Sequence, residues 1–135
     1  MLIVDTNVVI DVLEKDPTWA AWSTRQLDAQ VQVRELLINP VIYSELSLAF
    51  GEIRDLDQAL EDMGIELREV PRAALFLAGR AFLTYRRTEG TKHNVLPDFF
   101  IGAHAAVLGC PILTRDAARY RNYFPTVRLI TPDRG

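Results

Sequence analysis

Short apolar runs alternate with longer stretches in which apolar residues recur every three or four positions. The first run, Leu2-Ile3-Val4, is uninterrupted, rich in β-branched residues and closed by Asp5. A strand with no polar alternation is one buried on both faces, as in the middle of a parallel sheet. Thr6-Asn7 then opens a short helical segment through Val8-Val9-Ile10 and Val12-Leu13. Asp16 followed by Pro17 has the form of a cap and a first helical turn, predicting a helix to about Val31 with Trp19, Trp22 and Leu27 on its apolar side. Leu36-Leu37-Ile38 reads as a second strand, and Asn39-Pro40 as the cap and start of a helix over residues 41–50. Gly51 ends that helix, and residues 55–63 form the return arm of a helical hairpin stopped by Gly64.

The remainder continues the alternation. Ile65, Leu67 and Val70 suggest a third strand, residues 72–87 a longer amphipathic helix, and residues 88–96 a polar loop. Residues 98–108 follow as a helix apolar on nearly every side, then a strand at 111–114, a helix at 116–123 and a last strand at 127–130. Parallel neighbours need crossover connections, which are usually helices. The expected fold is therefore α/β: a three-layer α/β/α sandwich around a mostly parallel sheet, in a single domain spanning residues 1–135.

Composition fits that frame. The 135 residues are 49% hydrophobic and 24% charged, enough for one apolar core and too few for a second. No basic, apolar leader precedes Asp5, and the least charged stretch, residues 99–114, falls short of the ~20 apolar residues of a membrane span. A cytoplasmic protein with no membrane partner is expected. A lone Cys110 offers neither an internal disulfide nor a multi-cysteine zinc site and reads as a packing residue. The net charge of −3 lacks the basic footprint usual for nucleic-acid binding. Setting four acids aside on a metal would leave the rest of the chain at +1, with its cations free to face phosphates.

Those four are Asp5, Glu45, Asp98 and Asp116. In an open parallel sheet, ligands bind beyond the carboxyl ends of the strands, where Asp5 and Asp116 both fall. Asp98 opens the buried helix. Glu45 shares a helical face with Val41, Ile42, Leu48 and Ala49, so its carboxylate points inward and needs a partner. Taken singly, Asp5, Asp98 and Asp116 could each be a helix cap, and Glu45 a solvated or salt-bridged residue. Taken together, four carboxylates in one place repel by roughly 4 kcal/mol per pair at close range, so a hard divalent cation such as Mg2+ or Mn2+ is the natural counterion.

In their order along the chain, Leu2-Ile3-Val4-Asp5-Thr6-Asn7, Tyr43-Ser44-Glu45-Leu46, Asp98 before an apolar helix, and Thr114-Arg115-Asp116 resemble the PIN-domain family, in particular VapC-like ribonuclease toxins of toxin-antitoxin pairs. The likeness covers nearly the whole chain. It implies an acidic Mg2+ or Mn2+ site formed by Asp5, Glu45, Asp98 and Asp116, supported by Thr6, Asn7 and Thr114, cleavage of RNA, control by a small antitoxin, and a homodimer. Arg115, Lys92 and His93 lie beside the acids in sequence and are candidates for RNA phosphate contacts. Phe99-Phe100 and His104 are bulkier than the family's usual residues there.

Other functions fit less well. A phosphotransferase with an aspartate after its first strand would want a second acid where Asn7 stands. A PIN-like DNA or flap nuclease would need extra gripping elements, and a catalytically silent PIN-fold binding module would not need all four acids.

Overall fold

A computed structural model describes residues 1–88 and 95–132. Five short parallel strands lie in the order β3-β2-β1-β4-β5: β1 is Leu2–Val4, β2 Leu36–Ile38, β3 Ile65–Leu67, β4 Ile112–Leu113 and β5 Leu129–Ile130. The register sets Ile3 beside both Leu37 and Ile112, so β1 is the middle strand. Every residue of β1, β2 and β4 is buried, which is why these runs carry no polar alternation. Helices flank the sheet, as the alternating pattern predicts.

Those helices are α1 (Thr6–Leu13), α2 (Ala20–Val31), α3 (Pro40–Leu46), α4 (Ile53–Met63), α5 (Arg72–Thr88), α6 (Leu96–Leu108) and α7 (Ala118–Tyr123). Local chemistry fixes their ends. Asn39 caps α3 by accepting from the Ile42 N–H at 3.0 Å, with Pro40 in the first turn. Gly64 closes α4 and Gly109 closes α6, each in the left-handed region that a side chain would disfavour. Gly102 serves differently. A Cβ there would stand 2.3 Å from the Phe124 ring, so its missing side chain lets α6 and that ring close together. Phe82, Tyr85, Phe99 and Tyr123 complete an aromatic cluster around that contact.

Several helix boundaries differ from the sequence expectation, α4 among them, which begins at Ile53. The Asp16 carboxylate accepts from the Thr18 and Trp19 N–H groups, both at 2.8 Å, making a turn that delays α2 until Ala20. Helix α3 stops at Leu46 and continues as a 3-10 turn over Ser47–Ala49. Ser44 and Ser47 hydroxyls bond backward to the Pro40 and Ser44 carbonyls, in the way such residues compete with helical hydrogen bonding. Helix α6 begins at Leu96, which moves Asp98 from the cap into the first turn, and α7 begins only at Ala118. Neither Asp98 nor Asp116 is therefore a helix cap.

Candidate active site

The site lies where the carboxyl ends of β1 and β4 meet. The Asp5 N–H donates to the Leu113 carbonyl at 2.9 Å, which aligns Asp5 with Thr114 on the adjacent strand end. Asp5 is buried, and its carboxylate is well supplied with donors. Oδ1 accepts from the Thr6 N–H at 2.8 Å, making Asp5 also the cap of α1. Oδ2 accepts from the Thr114 hydroxyl at 2.8 Å and the Tyr120 hydroxyl at 2.9 Å. Burial nevertheless pushes its pKa up to about 6, with repulsion from Asp98 adding to the rise and the Thr114, Tyr120 and Thr6 hydrogen bonds opposing it.

The supporting residues form a joint across the two strand ends. Asn7 Nδ2 approaches Thr114 Oγ1 at 3.3 Å and Asp5 Oδ2 at 3.5 Å, while Asn7 Oδ1 accepts from the Arg115 N–H at 3.2 Å. The Asp116 N–H donates to Thr114 Oγ1 at 3.0 Å. The Thr6 hydroxyl donates to Glu45 Oε1 at 2.5 Å, linking α1 to α3.

Asp98 and Asp116 complete the group. Burial raises the Asp98 pKa, the Arg119 guanidinium opposes that rise, and Asp116 and Glu45 add to it by repulsion. The Tyr120 hydroxyl is likewise pushed well above its ordinary value, first by burial and then by Asp5, Asp98 and Glu45. Asp98 is thus within electrostatic reach of Asp5, Glu45 and Asp116, each on a different segment of the chain. The Asp116 side chain is exposed and has no hydrogen-bond partner among the described residues.

The arrangement is not a preformed chelate. Among the described residues, no three His, Cys, Asp or Glu side chains stand close enough to hold an ion. Three of the acids are turned to internal partners instead: Asp5 to Thr114 and Tyr120, Glu45 to Thr6, and Asp98 to Arg119. The donor chemistry still suits a hard divalent ion, because all four groups are carboxylates and burial and repulsion raise the cost of holding Asp5 and Asp98 ionised. A cavity of about 500 Å³ sits at the opposite, amino-terminal end of the strands, lined by Arg34, Cys110, Pro111 and Arg128, and none of the four acids borders it.

Two expectations need amending. The inward face proposed for Glu45 does not run through Leu48 and Ala49, since Leu48 is 89% exposed once the chain enters its 3-10 turn. Ile42 and Leu46 form the buried stripe, and Glu45 lies half-buried beside it. Arg115, expected to face phosphate, is engaged with Asp11, its Nε at 2.7 Å from Oδ2 and its Nη2 at 2.8 Å from Oδ1, and it covers the Trp19 ring. Lys92 and His93 lie outside the described residues.

The sequence reading passed over three residues. Asp11 is 1% exposed and also accepts from the Ser23 hydroxyl at 2.9 Å. Its signal was available as a lone acid inside the apolar run Val8-Val9-Ile10 and Val12-Leu13. Arg119 and Tyr120 gave no comparable sign, because their roles depend on where α7 sits. His104 is buried with Nδ1 3.2 Å from Asn39 Nδ2, and burial lowers its pKa.

Comparison with solved structures finds close likeness in fold at low sequence identity. VapBC2 from Rickettsia felis, bound to a DNA fragment from its promoter, matches with a TM-score of 0.75 and 15% identity over 98% of each chain. A toxin-antitoxin complex from Klebsiella pneumoniae matches at 0.67 and 16% over 98% of each chain. FitAcB from Neisseria gonorrhoeae matches at 0.65 and 19%, again over 98% of each. No curated protein matches the sequence. The model of the PIN domain matches residues 2–125, spanning all four acids and four of the five strands, β1 to β4, and the chain belongs to the PIN-domain family.

Proposed function

We propose that this chain is an endoribonuclease dependent on Mg2+ or Mn2+, the toxin of a toxin-antitoxin pair, working in the cytoplasm as a homodimer until a small antitoxin silences it. The observation that supports the nuclease reading is that Asp98 feels Asp5, Glu45 and Asp116 electrostatically beside the carboxyl ends of the strands, where burial first and repulsion second raise the pKa of Asp5 and Asp98. Hydrogen bonds and the Arg119 guanidinium offset only part of the cost of keeping Asp5 and Asp98 buried beside other acids, and a function that uses a cation explains that placement better than stability does. The antitoxin rests on the likeness to solved toxin-antitoxin complexes. No helix among the described residues is long and apolar enough to cross a membrane, in keeping with a cytoplasmic role.

Asp5 and Asp98 would hold the principal ion, with Asp116 and Glu45 completing its shell or holding a second ion when RNA is present. A bound divalent ion supplies an activated water and neutralises the charge of the scissile phosphate. Thr114 and Tyr120 orient the Asp5 carboxylate, and Asn7 holds Thr114 in place. Thr6 fixes Glu45.

Purified protein incubated with total RNA, with and without Mg2+ or Mn2+, should give new RNA ends only when the metal is present. Asp98→Asn should fold normally and cut nothing, and full activity in that variant would remove Asp98 from the mechanism. A silent PIN-fold binding module is the second reading, favoured by the internal partners that occupy three of the acids. Calorimetry separates the two, since a silent module takes up no Mn2+ through its carboxylates.

A further inference from the structure

Helix α7 turns two consecutive side chains toward the acids. Tyr120 reaches Asp5, and Arg119 places Nη1 3.1 Å from Asp98 Oδ2. The two hold differently. Tyr120 is buried, whereas the Arg119 and Asp98 side chains keep 27% and 33% of their surface exposed. Among the described residues, Arg119 Nε and Nη2 meet no acceptor, while the aromatic face of Tyr85 lies 5.5 Å beneath its guanidinium. Arg115 is the instructive contrast, since two of its nitrogens are fixed on the buried Asp11 carboxylate.

A one-point ion pair open to water is weak and easily replaced. A divalent cation competing for the same carboxylate carries twice the charge and faces Asp5, Glu45 and Asp116 as well. Once displaced, a guanidinium resting on an aromatic ring has its planar fork free, and that fork matches the oxygens of a phosphate.

We propose that Arg119 is an exchangeable counterion. Without a divalent ion it neutralises Asp98, and when the ion is bound it passes to a phosphate of the RNA strand. Arg119 is then a substrate-binding residue whose resting place is the metal site. This inference rests on the reading of the four acids as that site.

The test uses Arg119→Met, which keeps the stem over Tyr85 and removes the charge, and Arg119→Lys, which restores a cation. Calorimetry with Mn2+ alone should show Arg119→Met binding the ion about fivefold or more tightly than wild type, because a positive charge beside the ligand is gone, with Arg119→Lys returning toward wild type. Steady-state cleavage of a single-stranded RNA with Mn2+ should show KM rising about tenfold in Arg119→Met and kcat changing little. Both changes are required. Unchanged or weaker Mn2+ binding in Arg119→Met overturns the exchange, and so does an unchanged KM. Wild type and Asp98→Asn are titrated alongside. If wild type takes up Mn2+ and Asp98→Asn does not, a failed Arg119 result counts against this inference alone; if wild type takes up none, the metal-site reading falls and this inference with it. Should Arg119→Met not fold, Arg119→Gln reads the same two quantities.

Discussion

The hydroxyl of Tyr120 donates to Asp5 Oδ2 across 2.9 Å, joining residues 115 positions apart in the chain. This bond favours the ionised carboxylate against the upward push of burial. Tyr120→Phe keeps the ring and deletes the donor, so the Asp5 pKa should climb further above about 6. If ionised Asp5 is needed for cutting, the acidic limb of the pH–rate profile moves to higher pH, and activity at pH 6 falls more than at pH 8. Loss of a buried bond to a charged group should cost about 1.5 to 3 kcal/mol, read by urea unfolding.

Asp5 should also shape the stability of the metal-free protein. Its folded pKa, about 6, lies above its ordinary 3.8, so the folded state holds a proton that the unfolded chain has released. The resulting stabilisation is fully present below about pH 4 and is lost as pH rises through about 6, a swing on the order of 3 kcal/mol. Asp98 shifts in the same direction. Subtracting the urea-unfolding profile of Asp5→Asn from that of wild type should isolate this fall between pH 4 and 6.5. Added Mn2+ should raise the wild-type melting temperature at pH 7.5 and do so less at pH 5.

Arg115 and Asp11 should behave as structure first. Arg115→Met strands a carboxylate that is 1% exposed, and should cost about 3 kcal/mol in unfolding free energy. Adding Asp11→Leu should recover much of that loss, because the buried charge goes with its partner. A variant at 115 that melts like wild type yet binds RNA poorly would restore the phosphate-contact role first read from its sequence position.

Gly102→Ala places a methyl within 2.3 Å of the Phe124 ring, which has the aromatic cluster behind it. Overpacking of this kind costs about 1 to 3 kcal/mol, and Phe124→Leu in the same chain should return part of it. Equal melting temperatures for wild type and Gly102→Ala would mean that the ring has somewhere to go.

These residues also mark what sequence can and cannot reveal. The strands were legible because residues buried on both faces must be apolar, as in Leu2-Ile3-Val4 and Leu36-Leu37-Ile38. Helix ends were legible where one residue decides them, as at Asn39-Pro40 and Gly64. They were misread where side chains compete for backbone groups, as Asp16 and Ser44 do. Among the four acids, Asp5 and Asp116 follow from the rule that strand ends carry chemistry, whereas Glu45 was chosen by a helical face that breaks down at Leu48. Arg119 and Tyr120 could not be assigned from the chain, because α7 reaches Asp98 and Asp5 only through the packing of the folded molecule.

The joint at Asn7 has a direction. Thr114 has a single hydroxyl proton and gives it to Asp5, so toward Asn7 and the Asp116 N–H its oxygen can only receive. The Arg115 N–H claims the amide oxygen of Asn7, leaving the amide nitrogen to face Thr114 and Asp5. An aspartate at position 7 has no hydrogen to offer on that side and would set one anion against another. The seam between the two strands is thus wired for one polarity, and a lineage seeking a second acid there would first have to rewire it.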